Sequence, residues 1–206
     1  MIHEVDDALA ALVRREALNG SDIEVVFDAP TKDWASRRNA PTVNLYLYDI
    51  REDLRWRSYG SVDIVNAEGH TAGRVAPPKF FKLSYLVTAW TQRPQDEHRL
   101  LSNLLSCFLR FAVIPADVKP PALAAAGSPV RVTIALPPPE DRALSDVWSA
   151  LGGELKPSLD LVALVAIDPI GERPVAELVT APPRVRVSGP EAVEERAGRS
   201  ALARHP

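Results

Sequence analysis

A single cysteine in 206 residues leaves the chain nothing with which to cross-link itself. Cys107 has no second thiol for a disulfide framework, a redox pair or a zinc knuckle, and a reducing compartment suits such a sequence. Histidine is as thinly spread. His3, His70, His98 and His205 share no HExxH or other paired spacing, so no metal site is expected. Basic charge is also short, with 24 Lys and Arg against 27 Asp and Glu for a net charge of -3. That balance argues against nucleic acid as a partner met through its phosphates. No stretch approaches the roughly 18 apolar residues of a membrane span, so no membrane partner is expected. The N-terminus, with Glu4, Asp6 and Asp7, lacks the charged-then-apolar build of a secretory leader. A soluble cytoplasmic protein is the expectation.

Catalytic patterns are missing as well. Gly152-Gly153 forms no GxGxxG, and no lysine with a following Ser or Thr completes a phosphate-binding loop there. Cys107 falls inside a helical pattern beside its apolar stripe, where a cysteine acts as a small hydrophobe. Glu140-Asp141 precedes a short helical pattern and reads as a cap or a dipole partner before it reads as an acid/base pair. No catalytic, cofactor-binding or metal-binding residue is assigned, and no cofactor is expected.

What is present is an ordered run of amphipathic segments. Ile2, Val5, Leu9, Leu12 and Val13 recur at helical spacing and stop at Asn19-Gly20. Ile23 to Phe27 is a short apolar run, and Thr42 to Asp49 alternates Val43, Leu45 and Leu47 with Asn44, Tyr46 and Tyr48, the period of a strand. These two strands flank the segment around Trp34. Phe80 to Trp90 is the longest β pattern, with Phe81, Leu83, Tyr85, Val87 and Ala89 on one face, and predicts a central strand. Pro94 fits a first helical position, Asp96 and Glu97 favour a first turn, and Leu101, Leu104, Leu105 and Phe108 form a stripe that lasts until Pro115. Ala116 to Ser128 reads as a loop. Val130, Val132, Ile134 and Leu136 alternate as a strand closed by Pro137-Pro138-Pro139. Leu159 to Ile167 is apolar apart from Asp160 and predicts a strand covered on both faces, and Val175 to Val187 adds weak edge strands.

Two stretches stand apart. Residues 54–78 turn polar around Gly60, Gly69 and Gly73, with a turn-like Ala67-Glu68-Gly69-His70, and read as a protruding hairpin. At the root of this excursion Arg51, Arg55 and Arg57 interleave with Trp56 and Tyr59. Arg, Trp and Tyr are the types enriched at the energetic centres of interfaces, so these five residues are the candidate interface, weighed against a plain solvated face. The charged segment 188–206 lacks an apolar stripe and is expected to be disordered or transiently helical. One domain over 1–187, carrying the excursion at 54–78, is therefore expected. The element order predicts an α+β fold with a mixed or antiparallel sheet and packed helices.

Residues Val147 to Val162, VWSALGGELKPSLDLV, run from a short helix through Gly152-Gly153 and Pro157 into an apolar strand. This segment resembles the C-terminal signature of the cap, or tail-terminator, proteins of extracellular contractile injection systems, which are phage-tail-like particles. Other stretches resemble the same family in the same order: the N-terminal helix followed by IEVVFDAP, PTVNLYLYDIREDLR from Pro41 to Arg55, and KLSYLVTAWTQRPQDEHRLLSNLL from Lys82 to Leu105. Together they cover most of Ile2 to Ile167, and the departures lie in Leu54 to Pro78 and after Ile167. The resemblance implies a tail-terminator-like fold and a structural, non-enzymatic role. It further implies a homo-oligomeric ring, normally hexameric, that ends the inner tube and engages the last layer of sheath. Two rival readings differ in their signs. A small α+β enzyme would enclose carboxylates around Asp49 and Glu52 in a pocket, and an accessory adaptor would stay monomeric and bind elsewhere on the particle.

Overall fold

The computed structural model describes residues 1–67, 71–137, 144–168, 173–174, 184–188 and 193–197. Its residues group into two compact units, Met1–Ser61 with Ala76–Ile170, and Val62–Val75 with Gly171–Pro206.

The first unit opens with α1 (Ile2–Leu12), whose Val5, Ala8, Leu9 and Leu12 form the buried stripe. The helix widens into a π-turn over Val13–Ala17 and ends where Asn19 and Gly20 take positive φ of 47° and 72°. Then come β1 (Glu24–Val26), α2 (Lys32–Ser36) and β2 (Thr42–Glu52). Nothing in the sequence pattern predicts a helix at Trp34. One turn forms there because the Thr31 hydroxyl accepts the Trp34 amide at 3.3 Å. Strands β3 (Val62–Val65) and β4 (Thr71–Val75) belong to the second unit and lead to β5 (Lys79–Trp90) and α3 (Pro94–Arg110) of the first. Pro94 does sit in the first turn of α3 with Asp96 and Glu97, and Leu100, Leu101, Leu104, Cys107 and Phe108 are buried.

Part of the expected 116–128 loop is helical. Ala116–Val118 makes a 3-10 turn and Pro121–Ala125 forms α4, a short helix whose start at Pro121 uses proline's fixed φ and whose Leu123 reaches the core. Strand β6 (Arg131–Ile134) is shorter than its alternation suggested. Ala135 takes a left-handed φ of 51° and its amide donates to the Asp160 carbonyl at 2.8 Å, which turns the chain and leaves Leu136 59% exposed. After α5 (Leu144–Ala150), β7 (Leu159–Ile167) completes the sheet. Residues 138–143, with Glu140-Asp141, lie outside the described residues.

The five strands run in the order β1-β2-β5-β7-β6, with β1 parallel to β2 and every other pair antiparallel. This is the expected α+β architecture with a mixed sheet. Alternation sorts its two faces. Val43, Leu45, Leu83, Tyr85, Val87, Leu161, Ala163, Val165 and Val132 share one core with α1, α3 and Leu123 of α4. In that core the Tyr85 hydroxyl donates to the Asp6 carboxylate at 2.7 Å, and burial, then this hydrogen bond, pushes the phenol's pKa up. On β7 only one side is fully covered, because Val162 and Leu164 face the sheet's outer side half-buried.

In the second unit β3, β4 and a two-residue β8 (Arg173–Pro174) form an antiparallel sheet, while β9 (Arg184–Ser188) pairs with β10 (Val193–Ala197). The expected hairpin of the excursion is thus present as β3 and β4, its tip at 68–70 lying outside the described residues. Where disorder was expected after residue 188, the structure has a strand over Val193–Ala197. Backbone pairing into a two-strand ribbon does not depend on the apolar stripe whose absence suggested disorder. Of the edge strands expected in 175–187, residues 184–187 are extended, and 175–183 lie outside the described residues.

Candidate protein interface

The register of β2 against β5 slips once, between Leu47 and Asp49. Before the slip Leu45 and Leu47 oppose Val87 and Tyr85 on the helix-covered face. After it, Asp49 and Arg51 oppose Ser84 and Lys82 on the outer face, while Ile50 and Glu52 take the other side. The bulge therefore turns one arginine of the expected interface outward. Across the sheet, Arg51 pairs with Lys82, Lys82 with Leu164, and Leu164 with Arg131. These four residues form one transverse row over β2, β5, β7 and β6.

Beyond β2 the chain folds back over this row. The Asp53 amide donates to the Phe80 carbonyl at 2.7 Å, and the buried Asp53 side chain caps a 3-10 turn over Leu54–Trp56 by accepting the Arg55 amide at 3.3 Å. The same carboxylate accepts Arg55 Nε at 2.9 Å and a terminal guanidinium nitrogen at 2.7 Å, and Lys82 Nζ stands 3.5 Å away. This bidentate pair, with the other donors, lowers the Asp53 pKa to about 2. The Trp56 ring centre lies 5.5 Å from that of Phe80, the Arg131 guanidinium carbon stands 5.3 Å from the Trp56 ring centre, and 43% of Trp56 stays exposed. Asp53, Arg55, Trp56, Lys82, Arg131, Thr133, Val162 and Leu164 line a shallow depression of about 420 Å³.

Of the five expected residues, Arg51, Arg55 and Trp56 are brought onto this side. Arg57 is not. Its guanidinium makes two hydrogen bonds to Glu52, at 2.8 and 2.5 Å, which hold the Glu52 pKa down and its own up. Tyr59 is 85% exposed, beyond the turn. Two residues of the site, Lys82 and Arg131, have no part in the sequence expectation. Their signal was polarity at alternate positions of apolar strands, Lys82 and Ser84 in KLSYLV and Arg131 and Thr133 in RVTI.

The carboxylates that an enzymatic reading needs do not converge. Asp49 and Glu52 are three residues apart on opposite faces of β2, and each is held by an arginine, Arg51 at 3.2 Å and Arg57. The Cys107 thiol is buried and its pKa pushed up to about 11, first by that burial, which disfavours the thiolate. His70 and His205 lie outside the described residues; among those described, no three His, Cys, Asp or Glu side chains gather around a metal-sized site. No described helix is long and apolar enough to cross a membrane.

The VWSALGG segment has a structural part on the opposite end of the same outer face. Trp148 of α5 is 2% exposed, its ring centre 6.4 Å from Trp90, which in turn meets Trp34 edge-on at 5.2 Å. Gly152, at φ 66°, ends the helix, and a Cβ on Gly153 would stand 3.2 Å from the Trp148 ring. Lys156 then lies 4.6 Å over the Trp90 ring and pairs with Glu97. The helix, the glycine turn and the lysine thus clamp one aromatic cluster.

Residues 4–181, which hold all but the first two residues of the succession from α1 through β7, match the model of the Pvc16 N-terminal domain. The chain belongs to the Pvc16 N-terminal domain family. Among solved structures it is similar to the PVC sheath/tube terminator, in its extended state, of an extracellular contractile injection system. The TM-score is 0.65 at 24% identity over 97% of this chain and 65% of that one. It is also similar to the tube-terminating cap of the anti-feeding prophage, with a TM-score of 0.57 at 24% identity over 86% of this chain and 60% of that one. The chain therefore spans less than two thirds of the length of either structure. Both likenesses show that the fold of this Pvc16 N-terminal domain is that of the terminators. No curated protein matches the chain in sequence.

Proposed function

We propose that this chain is a structural cap that ends the inner tube of a contractile injection particle. It does so as a homo-oligomeric ring of six copies, assembled in the cytoplasm, that also engages the last layer of sheath. The observation that carries the reading is membership of the Pvc16 N-terminal domain family over residues 4–181, and the terminator fold adds to it. A cap needs one face that fits a tube ring and another that templates no further ring, and head-to-tail contacts between copies close such a ring without a leftover interface. Arg51, Arg55, Trp56, Arg57 and Tyr59 supply residues suited to such contacts, whereas the carboxylates of Asp49 and Glu52 are occupied by arginines. The role is accordingly structural rather than catalytic.

The experiment is direct. The full chain is purified and imaged by negative stain, alone and with pre-assembled tube, while its mass in solution is measured. Closed six-fold rings, found on one end only of each tube, agree with the proposal. A monomer that decorates tube walls or baseplates instead defeats it and favours the accessory-adaptor reading.

A further inference from the structure

We propose that the transverse row Arg51, Lys82, Leu164 and Arg131, with Arg55, is the seat for an acidic segment of a neighbouring protein in the particle. This rests on the reading of the chain as an assembled component. The charge of the site is unbalanced. Among the described residues Arg55, Lys82 and Arg131 have one carboxylate between them, because Asp53 is shared between Arg55 and Lys82. Arg131 stacks on Trp56 and has no carboxylate partner among the described residues. Arg51 and Lys82 stand directly opposite each other on adjacent strands, an arrangement of like charges that weakens an isolated sheet. Protection of a sheet edge suits Arg51, on a part of β2 that β1 does not reach, and Arg131 on the edge strand β6, but it does not account for Lys82 on the central β5. An incoming carboxylate relieves the repulsion and supplies Arg131 with its missing partner.

The apolar part of the site says what kind of chain carries that carboxylate. Leu164 and Val162 floor the depression half-buried, and Trp56 walls it. A segment that mixes acidic and apolar side chains satisfies both parts, which a bare phosphate backbone does not. The net charge of -3 on this chain also disfavours a polyanion as large as duplex DNA.

The test uses assembled particles. Thr133, exposed at the rim of the depression, is replaced by the photo-cross-linking residue p-benzoylphenylalanine, with Arg51 as a second position. The cross-linked peptide is then identified by mass spectrometry. The expected product is a segment bearing at least two carboxylates within about four residues of the cross-link. Its yield should fall at least tenfold in the Lys82→Glu, Arg131→Glu double variant and in the milder Lys82→Gln, Arg131→Gln pair. It should hold in Arg99→Glu, a reversal on α3 away from the row. Cross-links to segments without carboxylates, yields indifferent to the reversals, or no cross-link from a chain that is present in the particle would each overturn the inference. So would duplex DNA retained by the wild-type chain and released by the double variant. In those cases the capping proposal survives. Absence of the wild-type chain from otherwise complete particles defeats capping itself.

Discussion

Replacing Trp148 by alanine removes the indole that joins α5 to the sheet. At 2% exposure the ring withdraws roughly 200 Å² from water. At about 25 cal/mol per Å² that burial amounts to at most about 5 kcal/mol, an upper figure because an unfolded chain also hides some surface. The contact with Trp90 at 6.4 Å is lost as well, while the hydrogen bond from the indole N–H to Ser158 is long at 3.5 Å and contributes little. Alanine keeps one carbon, and the site relaxes only in part because Gly153 already approaches the ring closely. The net loss should be about 4 kcal/mol. For a chain of this size that lowers Tm by roughly 8–16 °C, measured by scanning calorimetry. Trp148→Phe, which keeps a ring, should lose about a third as much. A Tm within about 3 °C of wild type in Trp148→Ala would refute the reasoning and place the indole at an interface rather than in the fold.

Three further outcomes follow from the same structure. The Asp53 pKa is about 2 against an ordinary 3.8, so its ionised form contributes stability above about pH 5 that is lost as pH falls from about 4 to about 2; unfolding midpoints against pH should fall more steeply there in wild type than in Asp53→Asn. Cys107, buried and with its pKa pushed up to about 11, should react with an aromatic disulfide reagent at pH 8 only after denaturant is added; prompt labelling of native protein would show an open site. Arg55→Glu would set a like charge against buried Asp53, so the proposed ring contacts are better probed with Tyr59→Ala. This variant should fold within about 0.5 kcal/mol of wild type by denaturant titration, yet its rings should dissociate at higher protein concentration.

Strands and helices with strong periodicity were legible in the sequence because one physical rule decides each of them. The alternation in Phe80–Trp90 and the stripe Leu101, Leu104 and Phe108 report a buried face directly. Features set by single hydrogen bonds were not legible. Neither the turn that Thr31 caps at Trp34 nor the left-handed Ala135 that ends β6 leaves a periodic trace. The arrangement of the candidate interface residues was half legible for a related reason. Composition pointed to Arg55 and Trp56, but the bulge after Leu47 decides which of Arg51 and Glu52 faces outward. Lys82 and Arg131 come from strands distant in sequence, and only the sheet order sets them in one row.

Capping is tested most directly by the length of the inner tube in particles from a strain that lacks this gene, measured by electron microscopy of lysates. The account predicts tubes of uncontrolled length, or particles without a stable extended sheath, and return of a narrow length distribution when the wild-type gene is restored. Normal, length-controlled particles in the deletion strain would contradict it.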